Sequence, residues 1–152
     1  MNLNKSTRYA LYAAMELTSV DDSRTVTVAG VAVRYGVPEG ALAKVFQQMV
    51  RAGIVVGTRG VGGGYRLARH PSEITVLDVI RCFEPTRAPG RCLLSDATTD
   101  CGSYPTCRLG RLFDEVDQMV QSTYASISLE TLVKPSLTTP VRQPRPARTL
   151  IS

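Results

Sequence analysis

The chain has 152 residues and a formal net charge of +5 at pH 7, and 43% of its residues are hydrophobic, which suits one globular domain with an appendage. No apolar run reaches the roughly 20 residues that cross a bilayer, and the first segment, MNLNKSTRYA, lacks the apolar core of a secretory signal. We therefore expect a cytoplasmic protein, in a compartment where cysteines are normally reduced.

The first half of the sequence predicts three helices and a hairpin. Apolar residues at three- and four-residue spacing predict an amphipathic helix over residues 3–17. A short second helix is expected at residues 28–34 and a third at residues 38–52. Residues 54–59 and 64–68 are typical of two strands around a glycine-rich turn. Three helices followed by a hairpin predict a winged helix-turn-helix within a mainly α fold.

Capping residues mark where these helices begin and end. Thr27 is a suitable cap for the second helix, and Gly36 ends it. Gly53 fits the left-handed position after the third helix. Thr75 and Asp78 have the spacing of a capping box, which predicts a fourth helix running to about residue 83.

The sequence divides into four segments. Residues 1–83 are the predicted winged helix-turn-helix DNA-binding domain, and residues 84–106 are a polar loop with cysteines. Residues 107–133 keep helical spacing of apolar residues and predict a long dimerisation helix. Residues 134–152, rich in proline and arginine, predict a disordered basic tail. Because so small a chain cannot cover the long apolar stripe, we expect a homodimer. The predicted interface is Leu109, Leu112, Val116, Met119 and Val120.

The motif RGVGGGYR, residues 59–66, places four glycines between two arginines. A phosphate-binding P-loop needs a lysine and a hydroxyl residue after the glycines and then a helix, and this motif has neither. The remaining interpretation is the tip of a wing. Arg59 would then point toward a groove of DNA, where a narrow minor groove attracts arginine, and Arg66 toward a phosphate. A plain hairpin with solvated arginines is the alternative.

Polar residues of the third helix lie away from its apolar stripe. In a helix-turn-helix the second helix presents such residues to base edges in the major groove. Residues 1–69 also carry nine basic and four acidic side chains, as expected of a surface that binds a polyanion. A solvated helix face is the alternative for any single residue. The predicted DNA-binding residues are Glu39, Gly40, Ala41, Lys44, Gln47, Gln48, Arg59, Gly60, Tyr65 and Arg66.

Three of the four cysteines lie in the polar loop. Cys92, Cys101 and Cys107 are spaced C-x8-C-x5-C, which is wider than the close pairs typical of structural zinc. The single histidine, His70, lies outside the loop, and a disulfide is disfavoured in the cytoplasm. Three thiolates at this spacing favour an iron–sulfur cluster. Cys82 lies in an apolar helix, where we expect it to pack as a small hydrophobe.

Four segments of the chain, together with the cysteine triplet, resemble one known family. The segments are LNKSTRYALYAAMEL, LAKVFQQMVRAGIV, TRGVGGGYRLAR and EITVLDVIR. They are similar to the Rrf2 family of bacterial winged-helix regulators over about residues 1–133. The resemblance implies a homodimer joined through its long helices. It also implies an iron–sulfur cluster, 2Fe–2S in preference to 4Fe–4S, held by the three loop cysteines.

The resemblance further implies a function, which is that of a transcriptional repressor. The cluster would control operator affinity in response to iron, redox state or nitric oxide. IscR-like members place a histidine three residues after the last cysteine, where this chain has Gly110. NsrR-like members draw an aspartate from the partner's first helix, where this chain has Arg8. Because Gly110 and Arg8 stand at these two positions, the fourth ligand stays open. Ala43 replaces the glutamate that selects between operators in IscR-like members, so operator selection of that kind is not expected.

Two other functions remain open at this point. The first is a cluster-free regulator whose cysteines sense thiols or oxidants directly. The second is a small iron–sulfur enzyme for electron transfer, although the sequence offers no nucleophile beside a base and only one histidine for acid–base catalysis. We accordingly predict no catalytic residues.

Overall fold

The computed structural model describes residues 3–21, 24–85 and 106–134. This part of the chain is mainly helical with one two-stranded antiparallel sheet, as the sequence predicts. Among the described residues, no helix combines the length and apolar character needed to cross a membrane. Cys92, Cys101 and the predicted tail from residue 135 lie outside the described residues. The elements are α1 (Lys5–Thr18), α2 (Val28–Tyr35), α3 (Glu39–Arg51), β1 (Val55–Thr58), β2 (Gly64–Leu67), a 3-10 turn (Pro71–Glu73), α4 (Val76–Arg81), α5 (Arg108–Ser126) and α6 (Leu129–Val133).

The core forms where α1 packs against α3. Ala10, Ala13 and Ala14 of α1 are fully buried, and their small side chains leave room for larger ones from the facing helix. Leu42 and Phe46 of α3 occupy that space and are also fully buried. The apolar faces predicted for the two helices therefore pack against each other, and this packing sets the orientation of α3.

The predicted caps are confirmed. The backbone N–H of Gly30 donates to the Thr27 hydroxyl at 3.1 Å, and Gly53 has the left-handed φ of 71°. Thr75 and Asp78 form a reciprocal capping box, with the Thr75 N–H at 2.9 Å from Oδ2 of Asp78. Gly36 ends α2 with a φ of 63°. The fourth helix ends at Arg81, two residues before the predicted end.

The predicted dimerisation helix is divided into two helices. α5 ends at Ser126, and α6 turns back to pack against α1. Leu129 of α6 is fully buried. The backbone N–H of Val76 donates to the Ile127 carbonyl, and that of Leu129 donates to the Ile74 carbonyl, both at 2.8 Å. The end of this segment thus completes the core of the winged domain.

Glu84 joins the start of α1 to the chain just after α4. One carboxylate oxygen, Oε1, accepts hydrogen bonds from the Thr7 hydroxyl at 2.5 Å and from the Asn4 backbone N–H at 2.8 Å. Thr7 is the one polar residue in the buried core of the described residues. The hydrogen bond from Thr7, and then the one from Asn4, lower the pKa of Glu84 below its usual value.

Replacing this carboxylate should give a pH-dependent loss of stability. Because the folded-state pKa of Glu84 lies below the unfolded one, ionised Glu84 stabilises the fold at neutral pH, and this contribution is lost as pH falls through the folded-state pKa. The melting temperature of Glu84→Gln should lie below that of the parent at about pH 7, and the gap should narrow by about pH 3.5. The exposed Glu115→Gln serves as control. Equal gaps at both pH values would contradict this assignment.

Candidate nucleic-acid interface and cysteine site

The outer face of α3 is open to solvent, as the DNA-binding prediction requires. Glu39, Gly40, Lys44 and Gln47 are exposed, and Ala41 is half-buried. A side chain built at Gly40 would meet no atom within 4 Å, so this point of the helix is free for close approach. α2 precedes α3 through a short turn and packs against it, which is the arrangement of a helix-turn-helix.

The glycines of the wing are required by the backbone conformation of the hairpin itself. Gly60 and Gly62 have positive φ angles of 108° and 79°. A Cβ at Gly63 would lie 2.6 Å from the Thr58 carbonyl oxygen, and one at Gly64 would lie 2.8 Å from that of Val26. Only glycine fits such turns and such close approach. The motif is therefore the turn of the β1–β2 hairpin, and the interpretation as a wing tip agrees with this geometry.

The hairpin is also fixed to the chain that precedes α2. Val26 and Tyr65 exchange two backbone hydrogen bonds of 2.8 Å. The Thr25 hydroxyl donates to the Gly62 carbonyl at 2.8 Å. The Tyr65 ring packs on buried Phe46 of α3, with ring centroids 4.5 Å apart. The wing and α3 therefore hold a fixed relation to each other.

A groove of about 510 Å³ lies between α3 and the wing. It brings together three of the predicted residues: Gln47 from α3, and Arg59 and Tyr65 from the wing. Arg51 also lines the groove and was missed by the sequence analysis. Helical spacing could have identified it, because residues four apart on a helix share a face and Arg51 follows Gln47 by four.

Arg66 lies in a different place from the other predicted wing residues. Because successive residues of a strand point to opposite faces, Arg66 leaves the groove that Tyr65 lines. It lines a separate cleft of about 330 Å³ beside the end of α1, together with Arg24 and Arg69. The predicted phosphate contact of Arg66 stays a prediction, and it would be made from this cleft.

Gln48 differs from the other predicted residues of α3. Its side-chain amide donates a hydrogen bond to the backbone carbonyl of Cys82, at the end of α4. Its exposed neighbour Gln47 lines the groove instead. A direct contact between Gln48 and DNA stays a prediction, and its amide already has a partner within the chain.

Cys107 is the loop cysteine that the structure describes. It is half-buried and caps α5, and its sulfur accepts a hydrogen bond from the Gly110 N–H at 3.3 Å. The sulfur stays partly exposed at the start of α5, where it could be reached by a metal or cluster. Cys92 and Cys101 lie outside the described residues. Within the described ranges, no three His, Cys, Asp or Glu side chains form a metal-binding group.

Cys82 has a different environment. It follows α4, packs partly against the core, and its thiol donates to the Asp78 carbonyl at 3.2 Å. Burial, and then the charge of Asp78, raise the pKa of the Cys82 thiol. A protonated thiol in such a place is a poor ligand, in agreement with the packing role expected from the sequence.

In the part of the chain that the structure describes, the apolar stripe of α5 is exposed. Leu109, Leu112, Val116 and Met119 are exposed, with Met119 at 68%, and Val120 is half-buried. Within α5 only Gly110 is buried. A contiguous exposed apolar surface of this kind marks an interaction site, so all five residues predicted for the interface lie where a partner could cover them.

Comparison with known proteins gives a consistent result. The profile of Rrf2, described as an iron-dependent transcriptional regulator, matches residues 3–135. The HTH-type transcriptional regulator BadM of Rhodopseudomonas palustris is 36% identical over 134 residues, covering 88% of this chain and 82% of BadM. CymR, the global cysteine regulator of B. subtilis, has a TM-score of 0.71 at 23% identity, covering 88% of this chain and 96% of CymR. T. potens IscR has a TM-score of 0.67 at 25% identity, covering 88% and 87%.

Proposed function

The chain belongs to the Rrf2 family of DNA-binding transcriptional regulators, and we propose that it is a homodimeric repressor of the cytoplasm whose operator binding depends on an iron–sulfur cluster. The groove between α3 and the wing carries the DNA-binding part of this proposal. It joins Gln47 and Arg51 on one side to Arg59 on the other. Two basic side chains facing one groove suit the phosphates and base edges of a duplex.

Each segment has one role in DNA binding. The exposed face of α3 enters the major groove, where glutamine can read adenine and lysine can read guanine or contact phosphate. The wing places Arg59 at the neighbouring minor groove. Tyr65 holds the wing against α3 through Phe46, so the two reading elements approach DNA as one rigid unit. The family consists of transcriptional regulators rather than enzymes.

Replacing Arg59 tests the DNA-binding surface. Arg59→Ala should weaken operator binding by about 1–3 kcal/mol and relax sequence preference, because a groove-reading arginine is lost. Fluorescence anisotropy with an operator duplex and a scrambled duplex measures both effects. Arg81→Ala removes the same charge from an exposed position on α4 and should leave the affinity near that of the parent. If Arg59→Ala bound as tightly as the parent, the hairpin would be scaffold alone.

The proposed cluster would be held by Cys92, Cys101 and Cys107. When bound, it supplies a centre that oxygen, nitric oxide or iron supply can alter. The capping position of Cys107 supports this role, since its sulfur accepts a backbone hydrogen bond at the positive end of α5. Gly110 and Arg8 supply no side chain able to act as the fourth ligand, so a small thiol, an oxygen ligand or a partner residue fills that position.

A regulator that senses thiols or oxidants directly is the second candidate. The observation that favours it is again the position of Cys107, which is a free and partly exposed cysteine at the start of α5. A sensing cysteine must be accessible to the thiol or oxidant that it detects. The two candidates predict the same DNA-binding surface and the same dimer. They predict different absorbance spectra for the purified protein, since an iron–sulfur protein absorbs visible light and a free thiol does not.

The proposed dimer rests on α5. Its apolar stripe is exposed among the described residues, and two copies packed along it would bury the same surface on each partner, as a two-fold interface requires. A dimer also presents two α3 helices to two half-sites of an operator. The uncovered stripe therefore supports the homodimer and its use in DNA binding together.

A further inference from the structure

The three residues after α4 are tied to two other helices. Residues 82–84 lead directly toward the cysteine segment, and each of them makes a hydrogen bond to a residue far away in the sequence. The carbonyl of Cys82 accepts from Gln48 of α3. The carbonyl of Phe83 accepts from the Asn4 side chain at 2.9 Å, and Glu84 accepts from Thr7. This short segment is therefore a junction between α1 and α3, and it precedes the cysteine segment in the sequence.

The attachment to α1 consists of several hydrogen bonds. Asn4 caps α1 by accepting from the Thr7 N–H at 2.9 Å, while its amide nitrogen reaches the Phe83 carbonyl. Thr7 is fully buried, so its hydroxyl must keep its bond to Glu84 or lose it in a place without solvent. Residues 83 and 84 consequently stay close to the start of α1.

The attachment to α3 is a single side chain. The side-chain amide of Gln48 donates to the Cys82 carbonyl. The backbone carbonyl of Gln48 accepts the Ala52 N–H at 3.0 Å at the end of α3. The preceding residue, Gln47, lines the DNA groove. A shift of residues 82–84 would therefore act on α3 one residue from its groove-lining side chain.

We infer that Gln48 is a positioning residue, which couples the segment entering the cysteine region to the recognition helix α3. The inference rests on the proposed function, because it assigns the physical link between the state of the cysteines and operator affinity. Gln48 acts on DNA through the placement of α3, and not by reading a base. Two observations support this role. The side-chain amide of Gln48 is bonded to the Cys82 carbonyl, and the adjacent residue, Gln47, lines the DNA groove.

The first test compares Gln48→Met with Gln47→Met. Methionine keeps the length and helix propensity of glutamine but cannot donate a hydrogen bond. Operator affinity is measured for the anaerobically purified parent and for a full-length chain with serine at Cys92, Cys101 and Cys107. Gln48→Met should reduce the ratio of the two affinities by about two- to tenfold, the worth of one hydrogen bond. Gln47→Met should weaken both forms equally and leave the ratio unchanged.

Two results of this test would overturn the inference. One is an unchanged affinity ratio in Gln48→Met, which would mean that the bond transmits nothing. The other is a lost preference at one operator base pair in Gln48→Met, which would make Gln48 a base-reading residue. If the anaerobically purified parent and the three-serine variant bind the operator equally tightly, the proposed control by a cluster is wrong. A second measurement then tests the role of Gln48.

That second measurement is amide hydrogen exchange in the chain with three serines. Asn4→Ser retains a capping residue for α1, but the serine side chain cannot reach the Phe83 carbonyl. The substitution therefore removes the hydrogen bond between Asn4 and residue 83 on the α1 side of the junction. Exchange at Ala52 should rise in Asn4→Ser and should rise no further when Gln48→Met is added. Additive increases from the two substitutions would show independent sites and would overturn the coupling.

Discussion

Val116→Glu should make the protein monomeric and weaken operator binding by roughly 100-fold, the gain that a second linked half-site provides. Val116 is 45% exposed on the apolar stripe of α5. In a dimer this position would be buried against the partner, where an unpaired carboxylate is costly. Analytical ultracentrifugation at micromolar concentration measures the oligomeric state, and anisotropy measures the binding.

Gln118→Glu is the matched control for this substitution. Gln118 is exposed on α5 two residues away, on the side that faces α4 rather than the stripe, so it introduces the same charge outside the proposed interface. This variant should stay dimeric. A dimer that persists at micromolar concentration in Val116→Glu would show that the stripe has another use than self-association.

Serine substitution should abolish the visible absorbance at three of the four cysteines and leave it unchanged at the fourth. Cys92→Ser, Cys101→Ser and Cys107→Ser should each abolish the visible absorbance of the anaerobically purified protein, because a hydroxyl replaces a thiolate ligand. Cys82→Ser should keep the absorbance, since burial and a bond to the Asp78 carbonyl keep that thiol protonated and away from metal. Absorbance spectra with iron and sulfide analysis measure the result.

Other outcomes of this series have definite meanings. Retained colour in Cys101→Ser, or loss of colour in Cys82→Ser alone, would contradict the ligand assignment. A colourless parent whose operator binding changes on thiol oxidation, with that change lost in Cys107→Ser, would establish direct thiol sensing in place of a cluster.

Local sequence signals predicted the elements well because their causes are local. Thr27, Gly53 and the Thr75–Asp78 pair act within one turn of their helices. The glycines of the wing were recognised for a similar reason, since positive φ and close backbone contact within a hairpin depend on a few neighbouring residues. The groove-facing side of α3 followed from helical periodicity.

The features that escaped prediction depend on contacts between distant segments. The bond from Gln48 to the Cys82 carbonyl joins residues 34 positions apart, and periodicity alone placed Gln48 on the DNA-facing side. The break between α5 and α6 depends on the burial of Leu129, because α6 packs against α1 and the 3-10 turn. The motif also did not reveal that Arg66 shares a cleft with Arg24 and Arg69 beside the end of α1.

The return of α6 to the winged domain affects how this protein is made. The core around α1 lacks Leu129 until the ribosome has released the segment that contains it, because that side chain fills the core from near the end of the chain. Domains of many proteins fold during synthesis as soon as their sequence emerges. Here the DNA-binding unit reaches its complete core only after α5 has been translated. A nascent chain therefore cannot complete the fold of its DNA-binding domain before α5, the proposed dimerisation helix, has been synthesised.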